Sequence, residues 1–536
     1  MGFKSKLFTY FFSLVIFLAL IFMLLIYFDL YSKLPSGFYI VFIISFFTIL
    51  IFSIYKFETA ILIFLFFIPL FGFLGPLFQT QDAYIILVMC TSLIIGYLIR
   101  CIKNGNQILN FDERFYIPII IILIILTISF ILVIWRIYLY DFKMYGLLKQ
   151  YINNDIYKSG TDYFKTIKST SIIYSIFFTG FLFQIIMAET SFSKNFINKV
   201  FYILFFSFFI VFIVGIYQRF FNHNFGVVSN WNYENMFQIN STFRLANALG
   251  QYLIFIVPLF IGFSGYFFKI SKIKFILCLL SIMQALILLY YNGNRTGILG
   301  IAFVIIFYII FFIWILLTKM MLKKIKKINI RNIISMLIIL IIFIGLFSFV
   351  FIYFKNLGDN ENRSIMIDRL KYNFDLVTNL NKSNYNKIIN AISSGRDKLW
   401  LLAVSMFKDY PITGVGIGQY EHMLLEYNMK IFGKFVMRDA FALNYYLHIL
   451  AELGIFYLLA ILWFLIEVIV VFTKKIKRIG NKYKFLYSGI FLALISSLIA
   501  FNFNAGTAFI ETQYMFSFTI GLLINKSIFT SNENNQ

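Results

Sequence analysis

Charge is what this chain has least of. Only 13% of its 536 residues are Asp, Glu, Lys or Arg, against 61% hydrophobic and 21% aromatic, and the mean hydropathy is +0.87. So little charge cannot form the polar skin of a soluble globule, and the composition assigns the chain to a lipid bilayer. Cysteine is nearly absent. Cys90, Cys101 and Cys278 have the spacing of neither a disulfide framework nor a zinc site, so redox and metal chemistry find no support in the sequence. Histidine is just as scarce, and any imidazole chemistry has three possible owners: His223, His422 and His448.

What is present is apolar length. A span needs roughly 20 mainly apolar residues, and about fourteen such segments can be read. They run approximately over 7–28, 38–55, 59–74, 83–98, 115–135, 171–187, 200–217, 247–268, 275–291, 297–317, 333–354, 446–472, 485–503 and 508–524. Backbone in hydrocarbon must satisfy its own hydrogen bonds, and these segments lack the alternation of barrel strands. The expected fold is therefore all-α, a polytopic integral membrane helix bundle of about 14 transmembrane helices with one large extracytoplasmic loop. Three parts follow: an N-terminal bundle over 1–354 with about eleven spans, the loop over 355–443, and C-terminal spans with a short polar tail over 444–536.

The net charge of +23 would suit nucleic acid, but the positions of the charges suit a membrane. Lys4 and Lys6, Arg100 and Lys103, Lys269 to Lys274, Lys323 to Arg331, and Lys474 to Arg478 fall in alternate loops. With the longest loop left out, about 24 Lys/Arg lie on one side and about 10 on the other, which puts both termini in the cytoplasm. One loop runs against the rule: 141–170 carries Lys143, Lys149, Lys158, Lys165 and Lys168, yet the count assigns it outside. The first apolar stretch is too long for a signal-peptide core and reads as a retained span.

A connection as long as 355–443 is usually functional or disordered, and its apolar periodicity argues against disorder. Ser394 is a good N-cap with Asp397 three residues on. Leu399, Leu402, Ala403, Met406 and Phe407 then recur at helical spacing, predicting an amphipathic helix ended by Pro411 and Gly414. Gly414, Gly416 and Gly418 permit close backbone approach to a ligand or to another chain segment, or simply a tight re-entrant turn. A nucleotide loop would need a preceding strand, and there is none.

The segments 241–259, 292–300, 395–418 and 442–456, taken in that order, carry a resemblance to the O-antigen ligase and polymerase superfamily of bacterial membrane glycosyltransferases. STFRLANALGQYLIFIVPL (241–259) resembles that family's G-T-F-x-N-P-N-x-L-A opening of a span, through Thr242, Phe243, Asn247 and Leu249. NGNRTGILG (292–300) is similar to its S-R-G turn, with Arg295 in the arginine position. Gly395, Arg396, Trp400, Asp409, Pro411, Gly414, Gly416 and Gly418 follow its Gly-Arg, Trp and D-x-P-x-x-G-x-G-x-G pattern. ALNYYLHILAELGIF (442–456) resembles the H-N-x-Y-L-x-x-L-A-E-L-G start of the span after the large loop, except that Leu443 stands where family ligases have an essential histidine.

The resemblance implies a GT-C-like helix bundle in the bacterial plasma (inner) membrane that takes a glycan from a polyprenyl diphosphate on the outer face, without metal or other cofactor. The acceptor would be another glycan, as in a polymerase, or a lipid A core, as in a lipopolysaccharide ligase, or a protein. Other polysaccharide-assembly proteins are conceivable partners, and nucleic acid is not. Arg295 and Arg396 match positions that would hold the diphosphate through paired hydrogen bonds. Arg244 and Arg219 lie on the same side and could join them, or could snorkel to headgroups. His448, Asp439 and His422 are the candidate bases for the acceptor hydroxyl. Trp400, Asn444, Glu452 and the three glycines would position the site, Glu452 either holding the bundle together or serving as an acid. A flippase or transporter would place ionisable groups at the midplane, where these spans are nearly free of them; a non-catalytic scaffold gains ground if Leu443 leaves no base.

Overall fold

The computed structural model describes residues 36–70, 72, 85–103, 113–151, 163–222, 225, 238–243, 245–294, 296–308, 396–434, 436, 441–504, 506 and 509–529. Among them every regular element is a helix. The membrane part comprises α1 (Ser36–Tyr55), α2 (Phe57–Phe67), α3 (Ile85–Lys103), α4 (Glu113–Tyr151), α5 (Tyr163–Glu189), α6 (Phe196–Phe220), α7 (Ala246–Phe267), α8 (Lys272–Asn292) and α9 (Thr296–Tyr308). The large loop contributes α10 (Arg396–Asp409) and α11 (Tyr420–Phe432), and the C-terminal part α12 (Tyr445–Arg478), α13 (Asn481–Ala500) and α14 (Ile510–Ile524). Eight helices among the described residues are long and apolar enough to cross a membrane. Each apolar segment expected from the sequence overlaps a helix except 7–28 and 333–354, which lie outside the described residues. The segment 59–74 is shorter than expected. Its helix α2 stops at Phe67 after 11 residues, because Pro69 has no N–H to continue it and its ring would collide with the carbonyl four residues back.

With lipid on the outside, helices are sorted by packing rather than by polarity. Helices α5 and α7 form the centre: 89% of each apolar window is buried, against 33% for α12 and 44% for α6. The outer helices keep side chains such as Phe206, Leu459 and Ile466 exposed on their lipid face. Helices α7 and α13 meet glycine to glycine. A Cβ on Gly262 would lie 3.0 Å from the Gly489 Cα, so only paired small residues allow the two backbones this approach.

Contacts at the helix ends divide the bundle into two faces. At one end Lys475 Nζ donates to the last carbonyls of α14, Leu523, Ile524 and Asn525, and Lys274 Nζ to Asn198 Oδ1. Arg100 lies over Phe57 there, at the start of α2. The basic clusters of several loops thus share one end, as the alternation of charge expected. At the other end Arg136 near the top of α4 donates to the Val415 carbonyl at 2.8 Å, and Gln419 donates to Thr170 Oγ1 at 2.7 Å. Arg136 and Thr170 therefore lie on the same face as α10 and α11.

Candidate functional site

Helix α10 buries Leu399, Leu402, Ala403 and Met406, the positions its periodicity marked, while Phe407 is half-buried. It ends at Asp409, two residues before Pro411. Ser394 lies outside the described residues, and Asp397 sits in the first turn as expected. The three glycines that follow all have positive φ, at 63°, 115° and 70°. What they approach is another stretch of chain.

Helix α12 is broken at Gly454, where φ is 74° and ψ −174°. The break withdraws the N–H of Ile455 from the helix and leaves the carbonyls of Ala451 and Glu452 exposed at membrane depth, where each unpaired group costs several kcal/mol. The glycine segment repairs the break. Val415 N–H donates to Ala451 O at 2.8 Å, Gly416 N–H to Glu452 O at 2.9 Å, and Ile455 N–H to Pro411 O at 2.9 Å. A Cβ on Gly414 would lie 2.2 Å from the Glu452 carbonyl, and one on Gly454 2.2 Å from the Ile412 carbonyl oxygen. Glycine is needed on both sides of the interlock.

The Glu452 side chain completes it. Its carboxylate accepts the backbone N–H of Gly418 and of Tyr420, each at 2.9 Å, at the N-terminus of α11 where the helix dipole favours a negative charge. Tyr420 OH in turn donates to the Leu399 carbonyl of α10, and Ile417 N–H to Ser129 Oγ of α4. Glu452 is thus the anion on which the roof helices are set. His448, one turn before it, is 3% exposed with Nε2 3.7 Å from Glu452 Oε2. The rings of Tyr420 and Phe441 close over the imidazole at 5.1 and 5.5 Å. Helix α12 starts at Tyr445, with the Asn444 side chain accepting the Leu447 N–H as N-cap. That start is three residues later than a start at Ala442, and the imidazole of His448 lies within this enclosure. His422 is half-buried on α11, Trp400 half-buried on α10, and Leu443 adopts a left-handed φ of 50°.

Asp409 joins the two roof helices. Its carboxylate accepts from Lys430 Nζ and from Tyr427 OH of α11, and the Lys430 hydrogen bond, then that of Tyr427, hold it below the usual aspartate value. A depressed value means that the contribution is present above the ordinary aspartate range and is lost as pH falls through the depressed one. The pair is half in solvent, so Asp409→Asn is expected to lower stability at neutral pH by less than about 1 kcal/mol and to make no difference in acid, as thermal unfolding at the two conditions will show.

Of the arginines named from sequence, Arg295 and Arg244 lie outside the described residues, as does Asp439. Arg219, in the last turn of α6, places its guanidinium 5.1 Å from the centre of the Tyr291 ring. Arg396 opens α10 and donates to the Phe503 carbonyl at 2.5 Å. Thr296, next to Arg295, donates to that same oxygen at 3.1 Å. Asn294, on the other side of Arg295, donates to Asn247 Oδ1 at 2.7 Å and accepts the Gly297 N–H, capping α9. Asn292 Nδ2 donates to the carbonyls of Ile239 and Ala246. The four sequence segments are therefore laced together: the first to the second through asparagines, the second to the third through Phe503, and the third to the fourth through the broken helix.

Several helices begin at this end. The N-termini of α7, α9, α10, α12 and α14 are joined by the contacts just given, by the Tyr445–Phe501 ring pair at 5.2 Å, and by the hydrogen bond of Thr512 to Gln251. Each N-terminus carries roughly half a positive charge. Together with Arg396 they make an end of the bundle suited to an anion. The 3-10 turn Phe501–Phe503 and the start of α14, through which these contacts run, had no place among the residues named from sequence. The signal available there was Glu511, an acid inside an apolar run and 3% exposed in the structure.

Residues 276–462 match a family model described as O-antigen ligase, which supports the O-antigen ligase/polymerase superfamily. The matched stretch holds the Arg295 turn, α10, the glycine segment and the broken helix. No curated protein matches the chain.

Proposed function

We propose that this chain is a glycosyltransferase of the plasma membrane that transfers or polymerises a polyprenyl-diphosphate-linked oligosaccharide at the outer face, for surface polysaccharide. An O-antigen ligase-type function is supported by the family match. The observation that carries the finer reading is the meeting of Arg396 and the turn flanking Arg295 on one carbonyl, amid several helix N-termini. When the bond from the sugar to the diphosphate breaks, negative charge grows on the leaving group, and fixed guanidinium and N–H donors in a dry site offset it without metal. The acceptor hydroxyl attacks the anomeric carbon and passes its proton to a base. Polymerase is preferred to ligase because Leu443 replaces the ligase histidine; transfer to a lipid A core or to a protein is the alternative.

Transport is disfavoured by the repaired helix. Transporter sites sit where a helix is broken and its backbone left to a ligand, whereas here the chain's own segment 411–416 bonds the Ala451 and Glu452 carbonyls and the Ile455 N–H at the break. The test is direct. Purified protein in a bilayer, given a lipid-linked oligosaccharide, is expected to yield lengthened lipid-linked glycan. Transfer to an added lipid A core instead marks a ligase. Donor bound but chemically unchanged under both conditions would sink the enzymatic reading in favour of a scaffold.

A further inference from the structure

The chain holds 72 Phe and only 5 Trp, so the need for an apolar ring does not by itself account for a tryptophan. What the indole adds is an N–H that donates and never accepts. A buried tryptophan ordinarily gives that N–H an acceptor. Trp400 does not. It is half-buried on α10, yet its Nε1 is enclosed and has no hydrogen-bond partner. Phenylalanine would supply an apolar ring without the cost of an unpaired donor. Two other enclosed side-chain nitrogens lack a partner among the described residues. Gln184 Nε2 lies one turn before Met187, whose carbonyl accepts from Asn525 at the basic end. His448 Nδ1 belongs to an imidazole, which can leave one nitrogen without a proton. Trp400 alone of the three is a donor in every state and stands on the roof.

Its place on α10 ties it to the candidate site. Trp400 follows Arg396 by four residues, so the two share one flank of the helix, with Cβ atoms ~6 Å apart. A long side chain on a helix leans back over the preceding turn, which carries the indole toward the turn that Arg396 opens and away from the Asp409 end. Arg396 is anchored there on the Phe503 carbonyl, the oxygen also taken by Thr296 beside Arg295. In a polyprenyl-diphosphate donor the first sugar is joined through its anomeric carbon to a phosphate oxygen, so its ring follows the phosphate within about one helical turn's spacing. With the guanidinium on the phosphate, the indole is level with the first sugar.

We infer that Trp400 binds the sugar that adjoins the diphosphate, its Nε1–H donating to an oxygen substituent of that ring, an inference that rests on the transferase reading of the site. The oxygen that satisfies the donor enters with the ligand, so the free chain carries the unpaired group and the bound chain does not. The open part of the indole offers an apolar face to the C–H face of the same ring. Arg396 and Trp400 then divide the donor between them, charge to the one and sugar to the other.

The experiment uses the purified full chain in a bilayer with two probes: a synthetic polyprenyl-diphosphate-linked oligosaccharide and plain polyprenyl diphosphate, which has no sugar. Binding of each, KM, kcat and melting temperature are read. Trp400→Phe keeps an aromatic ring and removes the N–H. It is expected to weaken binding of the sugar-bearing probe by about 3- to 10-fold, the loss of one hydrogen bond, and to raise KM with kcat kept. Binding of plain polyprenyl diphosphate stays at the parent level, and the melting temperature stays or rises, because an unpaired buried donor has been removed. Arg396→Ala weakens both probes. Equal affinity of Trp400→Phe and parent for the sugar-bearing probe overturns the inference. So does a loss for both probes alike, or a fall in melting temperature, since Trp400 would then be a structural contact. A parent chain that transfers nothing removes the transferase reading and this inference with it; an active parent with an unaltered phenylalanine variant removes this inference alone.

Discussion

Alanine at position 396 is expected to reduce glycan transfer by at least about 10³-fold while the protein still folds and inserts. The two effects separate because they rest on different bonds. In the folded chain what is removed includes a hydrogen bond to the Phe503 carbonyl in an exposed position, and a bond of this kind contributes roughly 1 kcal/mol net. A guanidinium carries five N–H donors, and the Phe503 carbonyl takes one of them. On the proposed mechanism the same group would face the charge that grows on the diphosphate, where a fixed donor is worth several times as much. Arg396→Lys keeps the charge and loses the fork, so its activity is expected between the two. Arg295→Ala is expected to match Arg396→Ala, because its neighbour Thr296 holds the same carbonyl. Turnover by a lipid-linked oligosaccharide assay, beside melting temperature, decides the matter. Near-normal product from Arg396→Ala would remove the diphosphate role from that residue.

Helix existence and the amphipathic face of α10 were legible because both depend on local periodicity, and Leu399, Leu402, Ala403 and Met406 are buried where the 3.6-residue repeat puts them. The four segments that carry the resemblance were legible as strings, and the structure brings them to one end. The way they meet was not legible. A glycine inside an apolar run costs roughly 1 kcal/mol in a helix and does not announce a break, so Gly454 read as part of a continuous span. Its partners lie about forty residues upstream, and no local pattern encodes such a pairing. The Phe503 carbonyl escaped notice for a related reason: a main-chain acceptor has no residue type. The enclosure of His448 was not legible either, because the Tyr420 and Phe441 rings that close over it come from the large loop before the helix.

Gly414→Ala and Gly454→Ala are expected to undock the roof from the bundle, each at a cost of at least about 4 kcal/mol. Gly433 supplies the internal comparison. It ends α11 at φ 65° with nothing within 4 Å of an added Cβ, so alanine there costs only the left-handed conformation, about 1–2 kcal/mol. Gly414 has nearly the same φ, 63°, but its Cβ would lie 2.2 Å from the carbon and oxygen of the Glu452 carbonyl. Backbone cannot swing aside as a side chain can. Moving the glycine segment away from α12 stretches the hydrogen bonds of Val415, Gly416 and Ile455 together, each worth roughly 1 kcal/mol net and more where no water replaces it. The same movement draws the Gly418 and Tyr420 N–H groups from the Glu452 carboxylate. The damage is therefore cooperative, and Gly454→Ala produces it from the other side through the Ile412 carbonyl. Melting temperature and proteolysis at α10 and α11 are expected to rank Gly433→Ala as mild, with Gly414→Ala and Gly454→Ala severe and alike. If Gly414→Ala behaved like Gly433→Ala, the broken helix and the glycine segment would not be interlocked as described. Activity should follow the same order, since Arg396 stands at the head of the helix that this interlock holds down.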